Sequence, residues 1–198
     1  YFYETQRSLT GRFTKIDIVG ENAYMGIDLS ARRNLELCET LRNKEKKGSL
    51  LWVMDKTEPS MGKRLLKSYI EQPLLSPARI IERLDAVEIL TKNSLTLMEL
   101  RDLLDKVYDI ERLIGKISYG NANGRDLISL KNSLKQIPNL KAVLERTNSK
   151  MLQNLYNDLD ELKDVYTLIE HSIVEEPPIT IKEGGLINHC RLQCGQVH

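Results

Sequence analysis

Leu152, Leu155, Leu159, Leu162, Tyr166, Ile169 and Ile173 recur at alternating spacings of three and four residues. Successive residues of an α-helix turn by about 100°, so this spacing lays all of these side chains along one narrow stripe. A strand would throw neighbours to opposite faces and could not use the same pattern. The spacing predicts one long C-terminal helix over residues 149–174, packed lengthwise on another helix through an a/d seam. Glu175-Glu-Pro-Pro178 ends it, because proline lacks the N–H that a helix needs.

Helical signals fill most of what precedes the seam. Ser30 can cap a short helix through Leu41, and Ser49 can cap a short turn after the charged loop Arg42-Asn-Lys-Glu-Lys-Lys-Gly48. A helix from Ser60 carries Leu65, Leu66, Tyr69 and Ile70 and stops before Pro73. Ser76-Pro77 is a helix start, followed by the apolar stripe Ile80, Ile81, Leu84, Val87 and Leu90. Leu97, Leu100, Leu104 and Val107 mark another helix. Asn123 stands three residues before Asp126 at the head of the stripe Leu127, Leu130, Leu134 and Ile137, which Pro138 kinks or ends. Only residues 13–27 read as extended, with Gly20-Glu-Asn22 as the turn of a small β-hairpin. The expected fold is therefore mainly α: an irregular multi-helix core with a small N-terminal β-hairpin and one long C-terminal helix.

Charge and composition narrow the function. Lys and Arg number 29 against 28 Asp and Glu, a net charge of +1. Duplex-binding domains gain affinity from a surplus of cations over phosphates, so this balance argues against a dedicated nucleic-acid clamp. The longest apolar run, residues 50–54, is far short of the roughly 20 residues needed to span a bilayer. The opening Tyr-Phe-Tyr-Glu-Thr-Gln-Arg7 has no apolar signal-peptide core and no initiator Met, and reads as the start of an excised piece. Cys38, Cys190 and Cys194 are too few for a disulfide framework and suit a reducing cytoplasm.

Motifs for chemistry are missing. Gly62-Lys63 and Gly115-Lys116 have neither the earlier Gly nor the following Ser or Thr of a phosphate-binding loop. His189, Cys190, Cys194 and His198 could in principle surround zinc, but their spacing is unlike a finger, and exposed thiols at an unstructured end are the favoured reading. His171 lies off the apolar seam and reads as solvated, near the helix C-terminus. Trp52 reads as a core anchor, and Lys44, Lys46 and Lys47 as a solvated loop. No catalytic, cofactor-binding or metal-ligating residue is expected.

Several blocks carry a resemblance. Met25-Gly-Ile-Asp28-Leu-Ser-Ala-Arg-Arg33-Asn34-Leu35-Glu36-Leu37 is followed by Ser49-Leu50, Asp55-Lys-Thr57, Met61-Gly62, Arg64-Leu65 and Gln72-Pro73-Leu74, with Tyr69 where an aromatic is expected. Asp109-Ile-Glu-Arg-Leu113, Pro177-Pro178 and Glu183-Gly-Gly-Leu-Ile187 complete the order. In that order the blocks resemble the core, or lever, domain of MutS-type DNA mismatch repair proteins. The resemblance implies the end of a connector domain at residues 1–12, the first half of the core domain at 13–187, and a divergent, disordered tail at 188–198, where the family would instead continue into a DNA clamp. Phe2-Tyr-Glu4 matches the family's mismatch-reading tripeptide only by coincidence, since that motif belongs to a separate N-terminal domain. Arg64 and Glu36 are candidates for an ion pair locking short helices, and Gly62 for close helix approach.

For function, the resemblance implies a structural lever that couples an ATPase to a DNA clamp. ATP and Mg would be bound elsewhere in a parent protein that acts on mismatched double-stranded DNA. That parent would be a homodimer, would meet a MutL-type repair partner, and would work in the bacterial cytoplasm, at the nucleoid during repair. A different class of function stays open: a stand-alone helical adaptor binding a protein partner along the C-terminal seam.

Overall fold

The structure, a computed structural model, describes residues 23–178 and 185–187. It is mainly helical. In chain order the helices are α1 (Leu29–Asn34), α2 (Leu50–Met54), α3 (Ser60–Glu71), α4 (Pro77–Lys92), α5 (Ser94–Asp105), α6 (Ile110–Ser118), α7 (Gly124–Leu134), α8 (Ile137–Glu145), α9 (Lys150–Asp158) and α10 (Lys163–Ser172). The first arm of the expected hairpin lies outside the described residues. Of its second arm, Tyr24 forms an isolated antiparallel bridge with Leu74, and the Met25 N–H donates to the Pro73 carbonyl at 2.8 Å.

Local chemistry sets most helix starts. Asp28, not Ser30, caps α1 by accepting from the Ala31 N–H at 2.6 Å, and the helix stops at Asn34 rather than Leu41. It stops because Glu36 turns into the left-handed region (φ 48°), after which the Leu50 and Leu51 N–H groups donate to the Glu36 and Leu37 carbonyls. Ser49 caps α2 as expected, accepting from the Trp52 N–H at 3.2 Å. Pro77 opens α4 in its first turn, although the Ser76 side chain makes no cap bond. Asn123 and Asp126 form a reciprocal capping box at α7. Pro138 lies in the first turn of α8, so it marks a corner between two helices and not a kink within one.

Three separate apolar clusters result. Leu37, Leu51 and Ile70 form a small core for the N-terminal unit, residues 23–75. Ala86, Leu100, Val143, Leu144 and Leu152 bring together α4, α5, α8 and α9. Leu113, Leu130, Leu134, Ile137 and Ile169 bring together α6, α7, the start of α8 and α10. Ser133, fully buried on α7, donates to the Ser129 carbonyl and accepts from the Tyr108 N–H at 3.0 Å, so the turn before α6 is tied to the second of these large cores.

The C-terminal seam is not one helix. Residues 159–162 make a corner between α9 and α10, with Leu162 left-handed at φ 48° and its N–H donating to Asp160 Oδ1 at 2.9 Å. Asp side chains offer the backbone this local alternative to a helix, and the leucine spacing carries no sign of it. The seam residues are shared out accordingly. Leu152 is buried with Val143, whereas Leu159, Tyr166, Ile169 and Ile173 pack in the other core, and Leu155 and Leu162 stay exposed. Lys141 on α8 holds the corner: its Nζ donates to the Leu159 carbonyl at 2.9 Å and sits 5.0 Å from the Tyr156 ring.

Two further expectations change. The stripe on α4 faces outward at Ile81, Leu84 and Val87, Leu84 being 60% exposed, while Ala86 and Leu90 face the core. Trp52 is 47% exposed; Leu51 turns inward instead, and about 100° of helical rotation carries Trp52 round the side.

Beyond α10, the Val174 N–H donates to the Leu186 carbonyl and Ile173 bridges Ile187. This return presses Leu186 and Pro177 onto Gly124 at the head of α7. A Cβ there would come within 2.3 Å of Leu186 Cδ1 and 2.6 Å of Pro177 Cβ. Gly124→Ala is therefore expected to lower stability by about 1–3 kcal/mol, read as a reduced urea midpoint with an unchanged m-value. Val143→Ala, in the other large core, is expected to cost about 2 kcal/mol by the same assay.

Candidate functional site

The surfaces where the cores meet are the places at which a mechanical element could act, and they are held in different ways. Between α3 and α6 the join is ionic. Arg64 on α3 makes a two-pronged bond to Asp109, its Nη1 and Nη2 each 2.8 Å from a carboxylate oxygen, and reaches Glu111 at 2.5 Å. Asp109 also accepts from the Arg112 N–H at 3.2 Å, capping α6. One carboxylate thus starts a helix and anchors the neighbouring unit. Glu36, expected to pair with Arg64, instead accepts from the Leu41 N–H at 2.7 Å. Sequence distance concealed the true partner, because Arg64 and Asp109 meet only through the turn that α4 and α5 impose.

A second contact joins the same two units. Arg101 on α5 pairs with Glu58 and donates to the Lys56 carbonyl at 3.4 Å. Arg83 on α4 lies 3.7 Å over the Tyr69 ring, a stacking suited to the planar guanidinium. The N-terminal unit is therefore attached through three arginines. Gly62 has a different role from the one expected: its nearest neighbours are Thr57 and Pro59 of the incoming loop, at 3.4–3.5 Å from a Cβ position, and not a second helix.

The electrostatics follow the bonding. Asp109 is held down at about 2 by the hydrogen bonds from Arg64, with burial opposing and the Arg112 N–H assisting. Arg64 is raised in turn, chiefly by Asp109 and then Glu111. Asp55 is likewise lowered to about 2, first by Lys46 and then by the Thr57 hydroxyl, which pins the exit of α2. Burial beside Glu71 pushes the Cys38 thiol up, away from the reactive thiolate.

Other sequence candidates fall elsewhere. His171 is exposed near the end of α10. Lys44 and Lys47 are exposed, and Lys46 is paired with Asp55. Phe2, Glu4, His189, Cys190, Cys194 and His198 lie outside the described residues. Among the described residues no group of three or more His, Cys, Asp or Glu side chains could hold a metal ion. No helix among them is long and apolar enough to cross a membrane.

Comparison with known proteins decides the family. A family model described as MutS domain III matches residues 30–194, most of the chain. The chain belongs to the MutS domain III family. It is 52% identical over 187 residues to the DNA mismatch repair protein MutS of Ruminiclostridium cellulolyticum, covering 94% of this chain and 21% of that protein. With the proteins of the same name from Clostridium perfringens and Lachnoclostridium phytofermentans it shares 50% and 49% identity, over 94% of this chain and 20% of each relative. This MutS domain III chain thus spans about one-fifth of the length of the relatives it matches.

The Asp109 shift has a pH consequence. Its carboxyl is lowered from an ordinary 3.8 to about 2, so its contribution to the stability of this MutS domain III is full above about pH 3.8. That contribution is lost as pH falls through about 2. Arg64→Ala is expected to return the Asp109 titration toward 3.8 and to flatten the stability change between those two pH values. Carboxyl-carbon NMR titration and unfolding at stepped pH check the two effects.

Proposed function

We propose that this domain is a mechanical segment of a DNA mismatch repair protein, coupling an ATPase to a DNA clamp supplied by the rest of the parent. The observation that carries the reading is the division of the helical body into two tightly linked cores, with the N-terminal unit attached to it through arginine contacts. Packed helices resist bending, and a few defined joints give displacement a limited set of outcomes. The corner between α9 and α10 replaces the single rigid rod that the seam suggested, so motion would pass through two short levers set at an angle.

The open ridge of α4 supports the same reading. Ile80, Ile81, Leu84 and Val87 are exposed along one helix, in a chain one-fifth as long as its relatives. Further helices of the parent would cover that ridge, because apolar stripes of this kind rarely stay open. The adaptor reading loses its surface, since most of the C-terminal seam is consumed by the two cores.

In this proposal the parent binds mismatched double-stranded DNA, carries ATP and Mg on another domain, and acts as a homodimer. A MutL-type partner would follow it in repair, in the bacterial cytoplasm at the nucleoid. The 198-residue chain performs no chemistry of its own.

The test uses the full-length parent with Arg64→Ala. Basal ATPase activity and mismatch binding are expected to persist, while the change in ATPase rate on adding mismatched duplex falls by about fivefold. Arg64→Lys keeps the charge but not the two-pronged geometry and should lie between. Normal coupling in the Arg64→Ala protein would reject the mechanical role of this joint, and ATP hydrolysis by the purified chain would reject the reading altogether.

A further inference from the structure

The mechanical role leaves unexplained the outer face of α2. Leu51 points into the small core, so helical rotation sends Val53 almost directly away from it, with Leu50 and Trp52 on either side. Val53 is 59% exposed, and Leu50, Trp52 and Met54 are also exposed. A five-residue helix thus shows a contiguous apolar face that includes the only tryptophan of the chain.

Cations rim this face. Arg42, Lys44 and Lys47 on the preceding loop and Lys56 on the following one are exposed, and none of them makes an ion pair among the described residues. Lys46 is neutralised by Asp55, and the acids near the rim are Glu39 and Glu45. The loop is built to present these charges: the Lys44 N–H donates to the Thr40 carbonyl, the Thr40 N–H to the Glu45 carbonyl, and Lys44 and Gly48 both adopt positive φ. An ordered ring of unpaired cations around an apolar centre is complementary to an acidic segment with apolar anchors.

We propose that the outer face of α2 docks an acidic amphipathic segment of a protein outside this chain. Neither end of the chain supplies one. Residues 1–22 are balanced, with Glu4, Asp17 and Glu21 against Arg7, Arg12 and Lys15, and residues 179–198 carry Lys182 and Arg191 against Glu183 alone. Nucleic acid fits less well, because protein–DNA interfaces are more polar than this face and single strands need successive aromatic platforms where α2 offers one.

Because Trp52 is the sole tryptophan, its emission reports on this face directly. The 198-residue chain is titrated with a designed helical peptide carrying a leucine seam flanked by Glu, with the same peptide flanked by Lys, and with a thymidine oligonucleotide. The Glu peptide is expected to give a saturable blue shift that weakens with salt. Its dissociation constant should rise about tenfold or more with Lys44→Glu plus Lys47→Glu, and likewise with Val53→Glu, exposed positions at which circular dichroism should show the fold retained. The proposal is overturned if the Glu peptide gives no saturable shift, if the Lys peptide binds equally well, or if the oligonucleotide binds more tightly. It is also overturned if the chain alone sediments as a dimer that Val53→Glu abolishes, which would make a second copy the occupant.

Discussion

Ile137, at the start of α8, is buried with Leu113, Leu130, Leu134 and Ile169, while Val143 and Leu144 further along the same helix are buried with Ala86, Leu100 and Leu152. Six residues of helix rise about 9 Å, so one short element spans from one core to the next. Pro138 makes this possible by opening α8 in a new direction where α7 has just ended. Every other helix of the body leans on one side or the other of this splint. Lys141, on the same helix, reaches the Leu159 carbonyl and so fixes the second crossing between the cores as well.

The units are joined by unlike forces. The two large cores share α8 and a continuous run of packed side chains, which is insensitive to salt and intolerant of small shifts. The N-terminal unit has its own small core and meets the body through Arg64, Arg101 and Arg83. Ion pairs at a partly exposed boundary weaken with ionic strength and permit reorientation more readily than interlocked leucines do. Asp109 binds these two kinds of order together, since the carboxylate that receives Arg64 is the one that caps α6.

What could be read in the sequence follows the range of the forces involved. Capping residues and prolines act within a few positions, so Ser49, Asn123 and Pro77 announced their helices, as did the mainly helical fold. Tertiary choices were hidden. Asp109 is too far along the chain from Arg64 for spacing to couple them. The stripe on α4 is periodic whether it faces a core or solvent, so Leu84 gave no warning of its exposure. The break in the C-terminal seam left a faint mark: Asn157, Asp158 and Asp160 are weak helix formers set among strong leucine spacing, and the leucines dominated the reading. The block order that resembled the repair family survived all of this, because it depends on residue identity and not on where each side chain ends up.

The order of the cores along the chain carries a different consequence. The N-terminal core draws on Leu37 to Ile70, a stretch that closes before the others begin. The remaining two overlap: one runs from Ala86 to Leu152 and the other from Leu113 to Ile169, so each starts before the other is finished. As the polypeptide leaves the ribosome the first unit can fold at once, whereas neither of the others can be completed without stranding part of its neighbour. A single cut near residue 75 would yield two self-contained pieces, but no single cut would part the two interleaved cores. Insertion, permutation and exchange between relatives should accordingly be tolerated at the boundary after Leu74 and selected against throughout the body that follows.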